Sequence, residues 1–97
     1  MKPFRFLQEA KGETIEAALY YEDKAAGLGA EFLRQIQLAL RQIAQFPEAS
    51  ALADVSTRRG MVKRFRYGIF YRIEADEVVV LAVGDLRRKP GYWRGRG

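Results

Sequence analysis

The sequence contains neither cysteine nor histidine. Without cysteine there can be no disulfide, no thiolate nucleophile and no thiolate metal ligand. Without histidine, the side chain that most often serves as general base or metal ligand is missing as well. Long hydrophobic runs are also lacking. The longest, Val78 to Val83, falls far short of the roughly 20 apolar residues that a membrane helix needs. The opening "MKPFRFLQEA" has no apolar centre of the kind a secretory signal carries. A cytoplasmic protein without membrane contact is therefore expected. No set of carboxylates has metal-ligand spacing, and neither a metal nor another cofactor is expected. Gly27 and Gly29 form no phosphate loop, because no lysine and hydroxyl follow them at the required spacing.

What the sequence does have is positive charge, unevenly placed. Residues 1–54 carry 6 basic and 8 acidic side chains, whereas residues 55–97 carry 11 basic and 4 acidic. A C-terminal half with a balance of +7 points to a polyanion or an acidic partner. The charge culminates in "GDLRRKPGYWRGRG", residues 84–97, where five cations alternate with a tyrosine and the only tryptophan. Arginine holds phosphates and carboxylates in bidentate fashion, and aromatic rings stack on unpaired bases or anchor protein interfaces. Arg87, Arg88, Tyr92, Trp93 and Arg94 are the candidate target-binding residues of this tail, residues 85–97.

The 97 residues predict one domain over 1–97, with a thin core of one sheet and two helices. "PFRFL" reads as a short first strand. Residues from Gln8 to about Ala26 read as a helix with an apolar stripe of Ile15, Ala18 and Leu19. "GLG" at 27–29 stops it. A second helix follows to Gln45, with Phe32, Ile36, Ala39, Leu40 and Ile43 on one face, and Pro47 closes it. Residues 48–60 read as a loop. Strands are predicted at 61–65, 68–74 and 77–83, the last covered on both faces because it does not alternate. The predicted class is α+β in the order β-α-α-β-β-β. A helical hairpin packs on one face of a small, mostly antiparallel four-stranded sheet, and the other face is left open for binding. The tail is expected to lie along that face, with Tyr92 and Trp93 as apolar anchor and Arg87, Arg88, Arg94 and Arg96 supplying charge.

Two stretches carry a family resemblance. "EAALYYEDKAAGLGAEFLRQIQLALRQIAQFP" and "VKRFRYGIFYRIEADEVVVLAVGDLRRKPGYW" resemble the helical hairpin and C-terminal signature of the RelE/ParE superfamily of toxins from type II toxin–antitoxin modules, which include plasmid stabilisation systems. The resemblance runs from Phe6 to Trp93. It implies a growth inhibitor neutralised by a cognate antitoxin, with either DNA gyrase (ParE-like) or the ribosome and its mRNA (RelE-like) as target. In the RelE-like case it implies a metal-independent endoribonuclease, an mRNA interferase, with Lys63, Arg64, Arg88 and Tyr92 as catalytic residues. Two positions depart from the nuclease pattern. Gly68 stands where those members have arginine, and Asp85 stands where similar chains have histidine. These departures favour the ParE-like reading, in which the chain is not an enzyme. A degenerate member that only binds its partner is the third reading.

Overall fold

The computed structural model of the protein describes residues 2–97. Strand β1 (Phe4–Phe6) leads into helices α1 (Gln8–Lys24) and α2 (Leu28–Gln45). Strands β2 (Ala51–Leu52), β3 (Arg58–Val62), β4 (Tyr67–Ile73) and β5 (Val78–Asp85) follow. They form one sheet in the order β1-β5-β4-β3-β2. The class and element order match those read from the sequence. The sheet, however, has five strands rather than four and is mixed, because β1 runs parallel to β5 while the other pairs are antiparallel. Strand β5 lies inside the sheet, and every residue from Val78 to Gly84 is buried, which accounts for its unbroken hydrophobicity. No helix among the described residues is long and apolar enough to cross a membrane.

The hairpin linker depends on its glycines. Gly27 has φ +85°, a left-handed conformation that a side chain disfavours. At Gly29 a Cβ would lie 2.5 Å from the Ala18 carbonyl oxygen, so the helices approach as closely as they do only because it is absent. Glu22 of α1 accepts the N–H groups of Gly27 (2.9 Å) and Gly29 (3.0 Å), satisfying donors at the start of α2.

Helix α2 buries Phe32, Ile36 and Ile43, as its periodicity predicts. Helix α1 does not bury its predicted stripe: Ile15 and Leu19 are 60% and 65% exposed, and Ala10 and Ala17 are buried instead. The inward line of α1 passes through Ala10, Glu13, Ala17 and Tyr21. Small residues let the helix lie close against β5, and Glu13 on that line conceals the apolar period.

The segment 48–60 also departs from expectation. It contains β2 and the first half of β3, and β3 spans 58–62 rather than 61–65. "RRG" looks like a loop, but Gly60 sits where a Cβ would meet Ile43 Cδ1 at 2.7 Å, so α2 can pack on β3 only over a glycine.

The face opposite the helices is not open. The C-terminal tail folds across it, and Trp93 joins Phe70, Val79, Leu81 and Ala82 in a second buried cluster. The molecule therefore has helices, sheet and tail as three layers. A β-bulge at Phe70/Tyr71 shifts the β4–β5 register so that Leu81 is the extra residue of β5.

Candidate functional site

The tail is held by specific contacts. Gly91 (φ +91°) and Gly95 (φ +84°) permit two successive turns, closed by Arg94 N–H to Gly91 C=O and Arg96 N–H to Trp93 C=O. These turns press Trp93 flat onto Phe70, with centroids 4.0 Å apart and planes at 19°. Trp93 is 3% exposed, and its indole Nε1 is buried with no partner among the described residues. Tyr92 lies edge-on to both rings. Its hydroxyl sits directly over Gly84, where any Cβ would collide with it, and is also buried without a partner. Burial, with Glu13 adding to it, pushes the Tyr92 phenol up to about 12.

Beyond the end of β1 the outer edge of β5 has no strand neighbour, and two side chains take that place. Glu13 accepts the Val83 N–H (3.1 Å), and Arg96 donates to the Leu81 carbonyl (3.0 Å). The two side chains are paired with each other through two contacts of 3.0 and 3.1 Å, with only 16–17% of each side chain exposed. Arg88 approaches the same carboxylate at 3.6 Å, and its guanidinium lies 3.9 Å from the Tyr92 ring centroid. Glu13 and Arg96 are thus the residues that fix the tail. The sequence reading expects Arg96 to supply charge to a target rather than to bind within the chain, and Glu13 is not among its candidates. A carboxylate at 3- and 4-residue spacing from Ala10 and Ala17 was the available signal for Glu13.

The structure splits the sequence-predicted residues into groups. Arg88, Tyr92 and Trp93 come together on the tail face. Lys63 and Arg64 lie elsewhere, in the turn between β3 and β4 rather than on a strand. Arg64 (φ +72°) reaches Glu31 at the start of α2 (2.8 Å), and Lys63 borders a hollow with Gln35 and Gln42. Arg87 is engaged bidentately by Asp85 at 2.6 and 3.0 Å, and this arginine holds the Asp85 carboxyl down at about 2. Asp85 is therefore neutralised locally rather than presented as a free negative charge. Arg94 is largely exposed and meets Asp54 at 3.4 Å. Among the described residues no group of three acidic side chains could hold a metal ion.

One further cation belongs to this face. Arg59 of β3 lays its stem across Gly68, where a Cβ would stand 3.0 Å from Arg59 Cγ and 3.0 Å from Leu86 Cδ2. The space that a longer residue at 68 would need is filled by Arg59 and Leu86.

The comparisons agree with this architecture. Residues 4–90 match the family model described as the ParE toxin of the type II toxin–antitoxin system parDE. Among solved structures, one titled as the chromosomal ParDE toxin–antitoxin system from P. aeruginosa superimposes with a TM-score of 0.73. It covers 88% of this chain and 96% of its own at 13% identity, a likeness of fold. No curated protein sequence gives a significant match. The helical hairpin packed on one sheet and the family match over nearly all of the chain lead to one assignment: this protein belongs to the ParE toxin family of the RelE/ParE superfamily, the toxin components of type II toxin–antitoxin modules.

Proposed function

We propose that this toxin arrests growth by binding DNA gyrase in the cytoplasm, without cutting nucleic acid, and that the tail face makes the contact. The observation that carries this reading is the state of Tyr92. A phenol buried over Gly84, without a hydrogen-bond partner and with its pKa raised to about 12, is poorly placed to exchange a proton with a substrate phosphate. The other cations implied for a nuclease, Lys63 and Arg64, sit in the β3–β4 turn facing α2, and Arg88 is engaged with Tyr92 and Glu13. A surface of arginines set on a rigid aromatic anchor is suited to protein binding. The cognate antitoxin, in this reading, folds on binding and covers the exposed apolar crest of Ile15 and Leu19 as well as the basic face.

The test is Tyr92→Phe, expressed in cells and assayed as purified protein. Full toxicity is expected, with filamentation, inhibition of supercoiling by gyrase, and reversal by the antitoxin. Removing an unpartnered buried hydroxyl should also leave stability unchanged or raise it by about 1 kcal/mol. Ribosome-dependent mRNA cleavage by the wild type that drops by a factor of about 100 or more in Tyr92→Phe would establish the interferase instead.

A further inference from the structure

Beside the tail, on the face away from the helices, is a hollow of about 300 Å³. Leu52, Phe70, Leu86 and Trp93 give it apolar walls, and Arg59 and Arg88 also line it. Its volume is at the lower end of the range for ligand pockets, enough to admit an aliphatic side chain.

Three observations define what fits there. First, Arg59 has no acidic partner among the described residues. Its stem lies over Gly68, and its exposed charge is not neutralised. Asp85, the one carboxylate that borders the hollow, is already saturated by Arg87. Second, Trp93 lines the hollow while its indole N–H is buried, so the residue offers an incoming group an apolar wall rather than a polar contact. Third, the aromatic faces are occupied. Trp93 stacks on Phe70, and the guanidinium of Arg88 covers the Tyr92 ring. A nucleobase would find no open ring to stack on, although stacking is the main attraction that single strands have for aromatic residues. An apolar hollow beside an unneutralised arginine, in the half of the chain with a balance of +7, selects an apolar side chain next to a carboxylate.

We infer that this hollow is the anchor site for an acidic peptide segment of a partner protein. An aliphatic side chain of the segment enters against Leu52, Leu86 and Trp93, and a neighbouring carboxylate pairs with Arg59. The inference rests on the protein-binding reading above and identifies the chemistry that such a partner must present. Arg59 is the residue that sets specificity, since its charge separates an acidic segment from a neutral one of the same shape.

The experiment uses the full chain, isotopically labelled, with N-acetyl-leucine as probe, because this molecule combines an isobutyl group, an amide and a carboxylate. Trp93 is the only tryptophan, so its indole N–H resonance is an unambiguous reporter. Saturable shifts of the Trp93 indole and the Arg59 Nε–H are expected. N-acetyl-leucinamide, which lacks the carboxylate, should bind about tenfold more weakly, and Arg59→Gln should weaken the acid by a similar factor. Inorganic phosphate and a short single-stranded oligonucleotide should not displace the probe. Absence of shifts at both residues, equal binding of the amide, or displacement by either anion would overturn the inference, and displacement by the oligonucleotide would reassign the hollow to nucleic acid. The readout involves neither gyrase nor toxicity, so its failure is separate from failure of the gyrase reading.

Discussion

At the scale of single residues, the sequence reveals the cations of this protein but not their partners. Arg88 and Arg96 stand out in the tail, yet what each one does depends on Glu13, a carboxylate distant in sequence and masked by pattern. Glu13 is 83 positions from Arg96, and no local rule joins them. Asp85 and Arg87 are close enough in sequence to be foreseen as a pair, and they are one. The acid-base behaviour follows from such pairings. Glu31 is drawn down from 4.5 to about 2, first by Arg34 and Gln35, and Asp85 from 3.8 to about 2 by Arg87. A carboxyl whose pKa is lower folded than unfolded supports the fold above its unfolded value and loses that support as pH falls through the folded value. With no histidine, no side chain of ordinary pKa titrates between pH 5 and 8. Urea midpoints should therefore be nearly constant from pH 8 to 5 and fall between about pH 4.5 and 2. Glu31→Gln should flatten part of that fall, and added salt should reduce it because these pairs lie at the surface. A midpoint that shifts steeply near pH 6.5 would show that another group controls stability.

At the scale of elements, α2 was legible and the inward face of α1 was not. Helix α2 packs large side chains, so its hydrophobic period reports its buried face. Helix α1 packs through alanines and a satisfied carboxylate, so the period reports the face left outside, Ile15 and Leu19. Strand β3 lies three residues earlier than the sequence reading places it for a similar reason, because Gly60 marks close packing under Ile43 rather than a turn. The glycines of the hairpin allow a paired test. Gly12 is exposed in the second turn of α1, and a Cβ there meets nothing within 4 Å. Gly12→Ala should stabilise the protein by up to about 1 kcal/mol, through helix propensity alone. Gly29→Ala places a methyl group against the Ala18 carbonyl at 2.5 Å and forces the helices apart. It should destabilise by about 1–3 kcal/mol. Thermal melts of the two variants should move in opposite directions; equal shifts would mean that the close helix approach is not a constraint.

At the scale of the whole molecule, the tail makes a two-layer fold into a three-layer one. The sequence indicated that aromatic residues and charge were concentrated there. It also predicts that the tail lies along the sheet with Tyr92 and Trp93 as its apolar anchor, but not that Arg96 is latched to Glu13, because a charged, glycine-rich chain end ordinarily frays. The family model itself extends only to residue 90, so the last turn and its latch lie outside the matched residues. Two truncations separate anchor from latch. A chain ending after Trp93 keeps the indole on Phe70 but loses Arg96, and with it the pair to Glu13 and the bond to the Leu81 carbonyl. Glu13 still accepts the Val83 N–H, with Arg88 beside it, so the cost should be about 1–3 kcal/mol and the fold should persist. A chain ending after Lys89 removes Tyr92 and Trp93 and uncovers Phe70, Val79 and Leu81. Loss of a buried tryptophan alone costs about 3–5 kcal/mol, a large share of the 5–15 kcal/mol that holds an ordinary domain together. That chain should melt broadly, bind a hydrophobic dye and associate through the bared face, whereas the longer truncation should melt cooperatively a few degrees below the full protein. If the chain ending after Lys89 melts as sharply and as high as the complete one, the tail is not a structural layer and Trp93 contributes nothing to the core.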